Sequence, residues 1–259
     1  MTDEWFAYLA RLNRSPETIR AYRSLVHILP FDPATVSRDE LEEWWATRDG
    51  LSVSTRRRDL STLRSFYKWA ARFDRRTDDP TRRLDPPSQG TRLPRFVSRT
   101  ELGTLFDALD GDLRRALVLG AYAGLRVAEA AKLDWADVDL DGRWLTVRAG
   151  KGNKDRVVDL PALLADELLP ETRGNVVTAG RQPYTAGALQ RKVNRAIRAA
   201  GVDQTFHKLR ARYATMGLAG TGNLLAVSRA LGHSSPAVTA RYAATSGEDL
   251  RAIGEAVTR

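Results

Sequence analysis

Four short segments of the 259-residue sequence hold residue types that could act together on a phosphate ester. In Gly124-Leu125-Arg126-Val127-Ala128-Glu129, an arginine sits where a helix begins, beside backbone N–H groups and a helix dipole that already favour an anion. Glu129 lies three residues on, on the same face, and could orient that arginine. Gly150-Lys151-Gly152-Asn153-Lys154 puts lysines on a glycine-rich hairpin tip, from which one could swing onto a substrate. Read alone, the segment is more simply an ordinary turn, with Gly and Asn supplying the backbone angles. His207 and Arg210 are spaced to share one face of a helix near its start, either reaching one phosphate or acting as a capping histidine beside a surface arginine. His233 follows a helix-ending glycine in Leu231-Gly232-His233, and Tyr242 comes nine residues later.

Together these are two arginines, a lysine, two histidines and a tyrosine. Such a set suits phosphoryl transfer run on protein cations. Two guanidinium forks could stabilise charge on the phosphorane oxygens. A tyrosine hydroxyl could attack phosphorus and store the bond energy as a phosphotyrosine, provided something accepts its proton. A lysine on a hairpin could protonate the leaving 5′-oxygen. No cofactor and no metal are expected: the chain has no cysteine and only three histidines, His27, His207 and His233.

The elements that must position these residues are mostly helical. Ser15-Pro16-Glu17 opens one helix, and Ser37 with Glu40 forms a capping box ahead of a second. A third is expected from about Ser54 to Phe73. The stretch Asp78–Pro94, DDPTRRLDPPSQGTRLP, reads as an exposed linker. Beyond it, Ser98 and Glu101 form another capping box, Leu113–Tyr122 reads as a buried helix, and Arg126 opens a helix to Leu133. RWLTVR (Arg143–Arg148) and RVVDL (Arg156–Leu160) alternate as strands flanking the lysine-bearing tip. Helices follow at about Ala186–Ala200, Phe206–Leu218, Leu224–Leu231, Pro236–Ala243 and Gly247–Val257, with Thr185, Thr205 and Asn223 as caps and Gly201 and Gly232 as stops. The fold class is therefore mainly α with a small antiparallel β-sheet: residues 1–80 an all-helical domain, 81–95 a linker, and 96–259 a mixed α+β domain. All six tryptophans are expected in the core.

Charge points to a polyanionic partner. The formal net charge is +9, and lysine supplies only 6 of the 41 basic residues, leaving 35 arginines, whose planar fork suits phosphate. Between Arg56 and Arg83 there are 10 basic residues against 4 acidic ones, and between Arg181 and Arg241 there are 10 against one. The first run makes Arg56, Arg57, Arg58, Arg64 and Lys68 candidates for gripping a DNA backbone, with Lys154 added from the hairpin. Apolar residues at 42% and charged residues at 28% fit a globular chain. No stretch reaches the roughly 18 apolar residues of a membrane span, and the acidic N-terminus lacks a signal-peptide core, so no membrane partner and a cytoplasmic location are expected.

On these residues the sequence resembles the tyrosine recombinase/phage integrase family across nearly its whole length. Arg126, Lys151, His207-x-x-Arg210, Leu-Gly-His233 and Tyr242 occur in the family's order and at its typical spacings. The resemblance implies a core-type DNA-binding domain followed by a tyrosine-recombinase catalytic domain. Arg126 and Arg210 would clamp the scissile phosphate, Lys151 would act as general acid, and Tyr242 would form a 3′-phosphotyrosyl bond. His207 would assist proton transfer, His233 would hydrogen-bond a phosphoryl oxygen, and Glu129 would support the site structurally. The implied activity is site-specific recombination of double-stranded DNA, serving integration and excision or resolution of DNA elements. The protein would act as a homotetramer on its sites and a monomer when free, in a bacterial or phage-host cell at the nucleoid, with an accessory directionality factor as a further partner. Two departures are visible. Ala211 follows Arg210 where many relatives carry a second histidine, and the chain starts almost directly with the core-binding helices, as in shorter, Xer-like members that lack an arm-type domain. Two alternatives share the residues: relaxation of DNA in the manner of a type IB topoisomerase, and a relative that binds DNA without cutting it. The helix bearing Leu250, Ile253 and Val257 could dock on a neighbouring protomer or on its own domain.

Overall fold

The computed structural model describes residues 1–88, 90, 95–148, 155–168, 174–179, 182–233 and 235–240. Lys151, Lys154 and Tyr242, the rest of the hairpin tip, and the expected Gly247–Val257 helix lie outside them. The chain divides into two compact units, Met1–Thr91 and Arg92–Arg259.

The first unit is built from four helices: α1 (Thr2–Arg11), α2 (Pro16–His27), α3 (Arg38–Ala46) and α4 (Val53–Arg72). Their starts follow from local chemistry. Ser15 accepts the Thr18 N–H ahead of α2, Ser37 and Glu40 close a reciprocal capping box on α3, and Ser52 rather than Ser54 caps α4. The core is aromatic: Trp5 stacks on Tyr22 at 5.4 Å and meets Phe66 edge-on at 5.4 Å. The stretch read as an exposed linker departs from that reading at its start. Asp79 caps a 3₁₀ turn over Pro80–Arg83, Pro80 and Thr81 are buried, and Leu84 joins the aromatic core. Three apolar or capped groups close together bind this segment to the helices in spite of its prolines.

In the second unit, α5 (Arg99–Ala108) starts at the Ser98–Glu101 capping box, and α6 (Gly111–Tyr122) is buried from Ala116 to Ala121. Next comes α7 (Val127–Ala130). This helix ends three residues before the expected Leu133, because the chain there pairs elsewhere: Leu133 accepts the Val176 N–H at 2.8 Å and Trp135 donates to Gly174 at 2.9 Å. An antiparallel sheet follows, of β1 (Val138–Asp139), β2 (Trp144–Val147) and β3 (Arg156–Asp159), in which Leu145 faces Val158 and Val147 faces Arg156. Its inner residues Leu145, Val147 and Val158 are buried, whereas Trp144 is 51% exposed on the outer face, so one tryptophan leaves the expected core. After α8 (Ala162–Glu167) come a two-residue pair, β4 (Thr178–Ala179) and β5 (Gln182–Pro183), and then α9 (Ala186–Ala199), α10 (Phe206–Thr221), α11 (Leu224–Leu231) and α12 (Pro236–Ala240). Thr185 and Asn223 cap α9 and α11 as expected. Thr205 makes no side-chain cap; Asn194 of α9 instead accepts the Phe206 N–H at 2.9 Å, so the start of α10 is capped from a neighbouring helix. No helix among the described residues is long and apolar enough to cross a membrane.

Candidate active site

The site is organised by one buried carboxylate. Arg126 is the N-cap of α7, and Glu129 in its first turn accepts the Arg126 backbone N–H at 2.7 Å through Oε2 and the Arg126 Nη1 at 2.7 Å through Oε1. The same side chain therefore starts the helix and fixes the guanidinium, which also donates to the Gly232 carbonyl at 3.2 Å. Arg156 of β3 clasps Glu129 with both fork nitrogens, at 2.9 and 2.8 Å, and donates Nε–H to the Ala230 carbonyl at 2.8 Å. Arg210 of α10 lies 3.8 Å from the carboxylate and donates to the carbonyls of Gly124 and Leu231. Burial alone would raise the Glu129 pKa. The two-pronged contact from Arg156, with the Arg126 N–H and guanidinium, outweighs it and holds the carboxyl at about 2.

That depression has a measurable sign. With a folded-state value below the usual 4.5, ionised Glu129 contributes stability that is complete above pH 4.5 and is lost as pH falls through about 2. The stability gap between the parent and Glu129→Gln, measured by urea unfolding, is therefore expected to narrow from pH 5 to pH 3. A gap constant over that range would show the carboxylate is not held this way.

Two glycines let the backbone carry these contacts. Gly124 (φ +63°) precedes Leu125-Arg126, and a Cβ there would sit 2.6 Å from the Tyr213 ring. Gly232 (φ +61°) ends α11, and a Cβ there would lie 3.1 Å from Arg156 Cδ. Both positions use the left-handed backbone, and at Gly124 a side chain would in addition collide with the Tyr213 ring. His233 follows directly, and its Nδ1 is 2.7 Å from the hydroxyl of the buried Thr239 on α12, so among the described residues Nε2 is the ring nitrogen left to meet a ligand. Burial first, then the Arg210, Arg126 and Arg156 cations, push His233 down to about 4, so the ring is neutral at physiological pH.

Arg126, His207, Arg210 and His233 all line one cleft of about 540 Å³, together with Gln190 and an apolar wall that includes Phe206. Segments far apart in the sequence thus deliver four of the six residues singled out from it to one place. Lys151 and Tyr242 lie outside the described residues. Sequence reasoning missed Arg156 and Thr239. For Arg156 a signal existed: in RVVDL the alternation puts it on the same face as buried Val158, and an arginine turned inward needs a carboxylate.

The basic residues of α4 separate into two groups. Arg56 pairs with Asp49 at 2.7 Å, lies over Trp45 at 5.2 Å, and has a side chain only 18% exposed, so it serves the unit's own packing rather than the open surface. Arg58 is exposed and meets Asp59 at 3.3 Å. Arg57, Arg64 and Lys68 recur along one exposed face of the helix. Of these, Arg57 donates to the Pro87 carbonyl at 3.0 Å and Arg64 to that of Leu84 at 2.7 Å.

The second unit thus holds a cleft that gathers two arginines and two histidines, a cation set suited to a phosphate ester. Comparison with known proteins identifies the class. Residues 95–248 match the phage integrase family, and residues 2–73 match the phage integrase N-terminal SAM-like domain. The tyrosine recombinase XerA of Thermococcus kodakarensis is 32% identical over 98% of this chain and 93% of its own. Among solved structures, a lambda integrase dimer bound to a COC′ core site shares the fold at 20% identity, with a TM-score of 0.78 over 93% of both chains. A lambda integrase tetramer bound to a Holliday junction does so at 19% identity, with a TM-score of 0.77 over 93% of this chain and 75% of that one. The chain belongs to the phage integrase family and is a tyrosine-type site-specific recombinase.

Proposed function

We propose that the cleft receives the scissile phosphate of duplex DNA and that strands are cut and rejoined through a 3′-phosphotyrosyl intermediate. The observation that carries this reading is the convergence of Arg126, His207, Arg210 and His233 on one cleft. Arg126 and Arg210 bind the non-bridging oxygens and stabilise the charge that builds on them. Neutral His233, with Nδ1 accepting from the Thr239 hydroxyl, donates its single N–H, on Nε2, to a phosphoryl oxygen, and His207 assists proton transfer. The Tyr242 oxygen gives up its proton with the help of His207 and forms a bond to phosphorus as the bond to the 5′-oxygen breaks, and Lys151 supplies the proton to that leaving oxygen. One phosphodiester is exchanged for another, so rejoining is the same step reversed and needs no external energy source. Glu129 holds Arg126 without touching DNA.

In this reading the first helical unit is the core-type DNA-binding domain, gripping the backbone through Arg57, Arg58, Arg64 and Lys68, while the region from residue 96 is the catalytic domain, with Lys154 adding a contact. The active assembly is a homotetramer on two recombination sites, as the lambda integrase tetramer on a Holliday junction suggests, and the free protein is a monomer in the cytoplasm. The test is to incubate the protein with fragmented genomic DNA, isolate covalent complexes and sequence the attached ends. A single short motif, joined through its 3′ phosphate, is expected, and a plasmid carrying two copies of it should recombine. Relaxation of arbitrary plasmid without exchange would favour a topoisomerase, and binding without covalent complexes a DNA-binding relative.

A further inference from the structure

Arg156 is absent from the cleft lining, yet it holds both oxygens of the carboxylate that aims Arg126. We propose that Arg156 is a positioning residue for cleavage, acting through Glu129 as its dedicated counter-cation so that Arg126 and Arg210 keep their positive charge for the phosphate. This rests on reading the cleft as the phosphate site.

Three observations carry it. The first is charge. Glu129 lies within ion-pair distance of all three guanidiniums. If only the two cleft arginines surrounded it, the carboxylate would cancel half of their charge. The phosphate gains negative charge on its way to the phosphorane, so a halved field would weaken the transition state more than the ground state. The second is exposure. The Arg156 and Glu129 side chains are 9% and 7% exposed, whereas that of Arg126 is 27% exposed and opens on the cleft. The buried pair is thus placed to satisfy itself, and the outer arginine to meet a ligand. The third is geometry. A two-pronged contact fixes the plane of the carboxylate, and so the direction in which Oε1 holds Arg126 Nη1. Arg156 in turn is located by the Ala230 carbonyl and by the bare backbone of Gly232, the residue before His233.

The experiment uses the full chain and a nicked suicide duplex bearing the sequence found by covalent mapping. The parent must form covalent complex on this duplex; if it does not, the reading of the cleft fails and not the role of Arg156. With an active parent, Arg156→Gln is expected to lower the rate of covalent-complex formation at saturating protein about 50-fold, with the Kd for the duplex changed less than about 3-fold. Arg156→Lys, which keeps the charge but loses the fork, should recover at least about five-fold of that loss. Against a Glu129→Gln background, adding Arg156→Gln should cost less than about 3-fold more, because the group it neutralises is gone. Unchanged cleavage in Arg156→Gln, a Kd weakened as much as the rate, or losses that multiply in the double variant would each overturn the proposal. If Arg156→Gln alone leaves the carboxylate buried and does not fold, the comparison of Glu129→Gln with the double variant decides by the same criterion.

Discussion

Tyr242→Phe protein is expected to form no covalent complex with DNA, a loss on the order of 10⁴-fold or more, while still binding it. The substitution removes one oxygen and leaves the ring. Without that oxygen no phosphorus–protein bond can form, and the two arginines stabilise a transition state that is never reached. The structure also shows why two other tyrosines of the second unit are poor nucleophiles. Tyr213 is half-buried against Gly124, and burial pushes its hydroxyl above the usual value, away from the phenolate that attack requires. Burial likewise raises Tyr122. Denaturant-resistant complexes on the mapped site provide the measurement. Complexes from Tyr242→Phe protein at more than about one per cent of the parent level would reject Tyr242 as nucleophile.

The second large effect is expected at Arg210. Its side chain is only 4% exposed, donates to two carbonyls and still lines the cleft. A lysine carries the same charge as a point and cannot span Gly124, Leu231 and a phosphate together. Arg210→Lys should therefore lower cleavage about 10³-fold, the range seen when one preorganised donor to a developing oxyanion is removed. Arg210→Ala should in addition destabilise the fold by about 3 kcal/mol, since it strands two carbonyls and removes a cation from beside a buried carboxylate. Single-turnover cleavage together with urea denaturation separates the two effects. Arg210→Lys cleaving within tenfold of the parent would show that charge alone is used and the fork is not.

What was legible in the sequence was what is decided locally. The capping boxes at Ser37 and Ser98, the proline start of α2 and the glycine end of α11 each depend on residues within one turn, and each forms as expected. The gathering of Arg126, His207, Arg210 and His233 was expected from the family resemblance that their order carries, not from any one segment. What escaped depends on distant partners. Arg156 meets Glu129 across 27 residues, and α10 takes its cap from Asn194 on another helix. Strands of two residues, such as β1, carry too little alternation to show as a pattern. Charge counting treated Arg56 like its neighbours, because a run of arginines in sequence does not distinguish the face packed on Trp45 from the face left open.

The two carbonyl contacts of Arg210 span 86 and 21 residues of chain. They close two loops on a single guanidinium, so the cleft exists only when the chain on either side of each loop is already in place. Anyone exchanging segments between recombinases to retarget them can treat Gly124 to Leu231 as one indivisible cassette: junctions outside it preserve both closures, and a junction inside it joins halves that were never matched to each other.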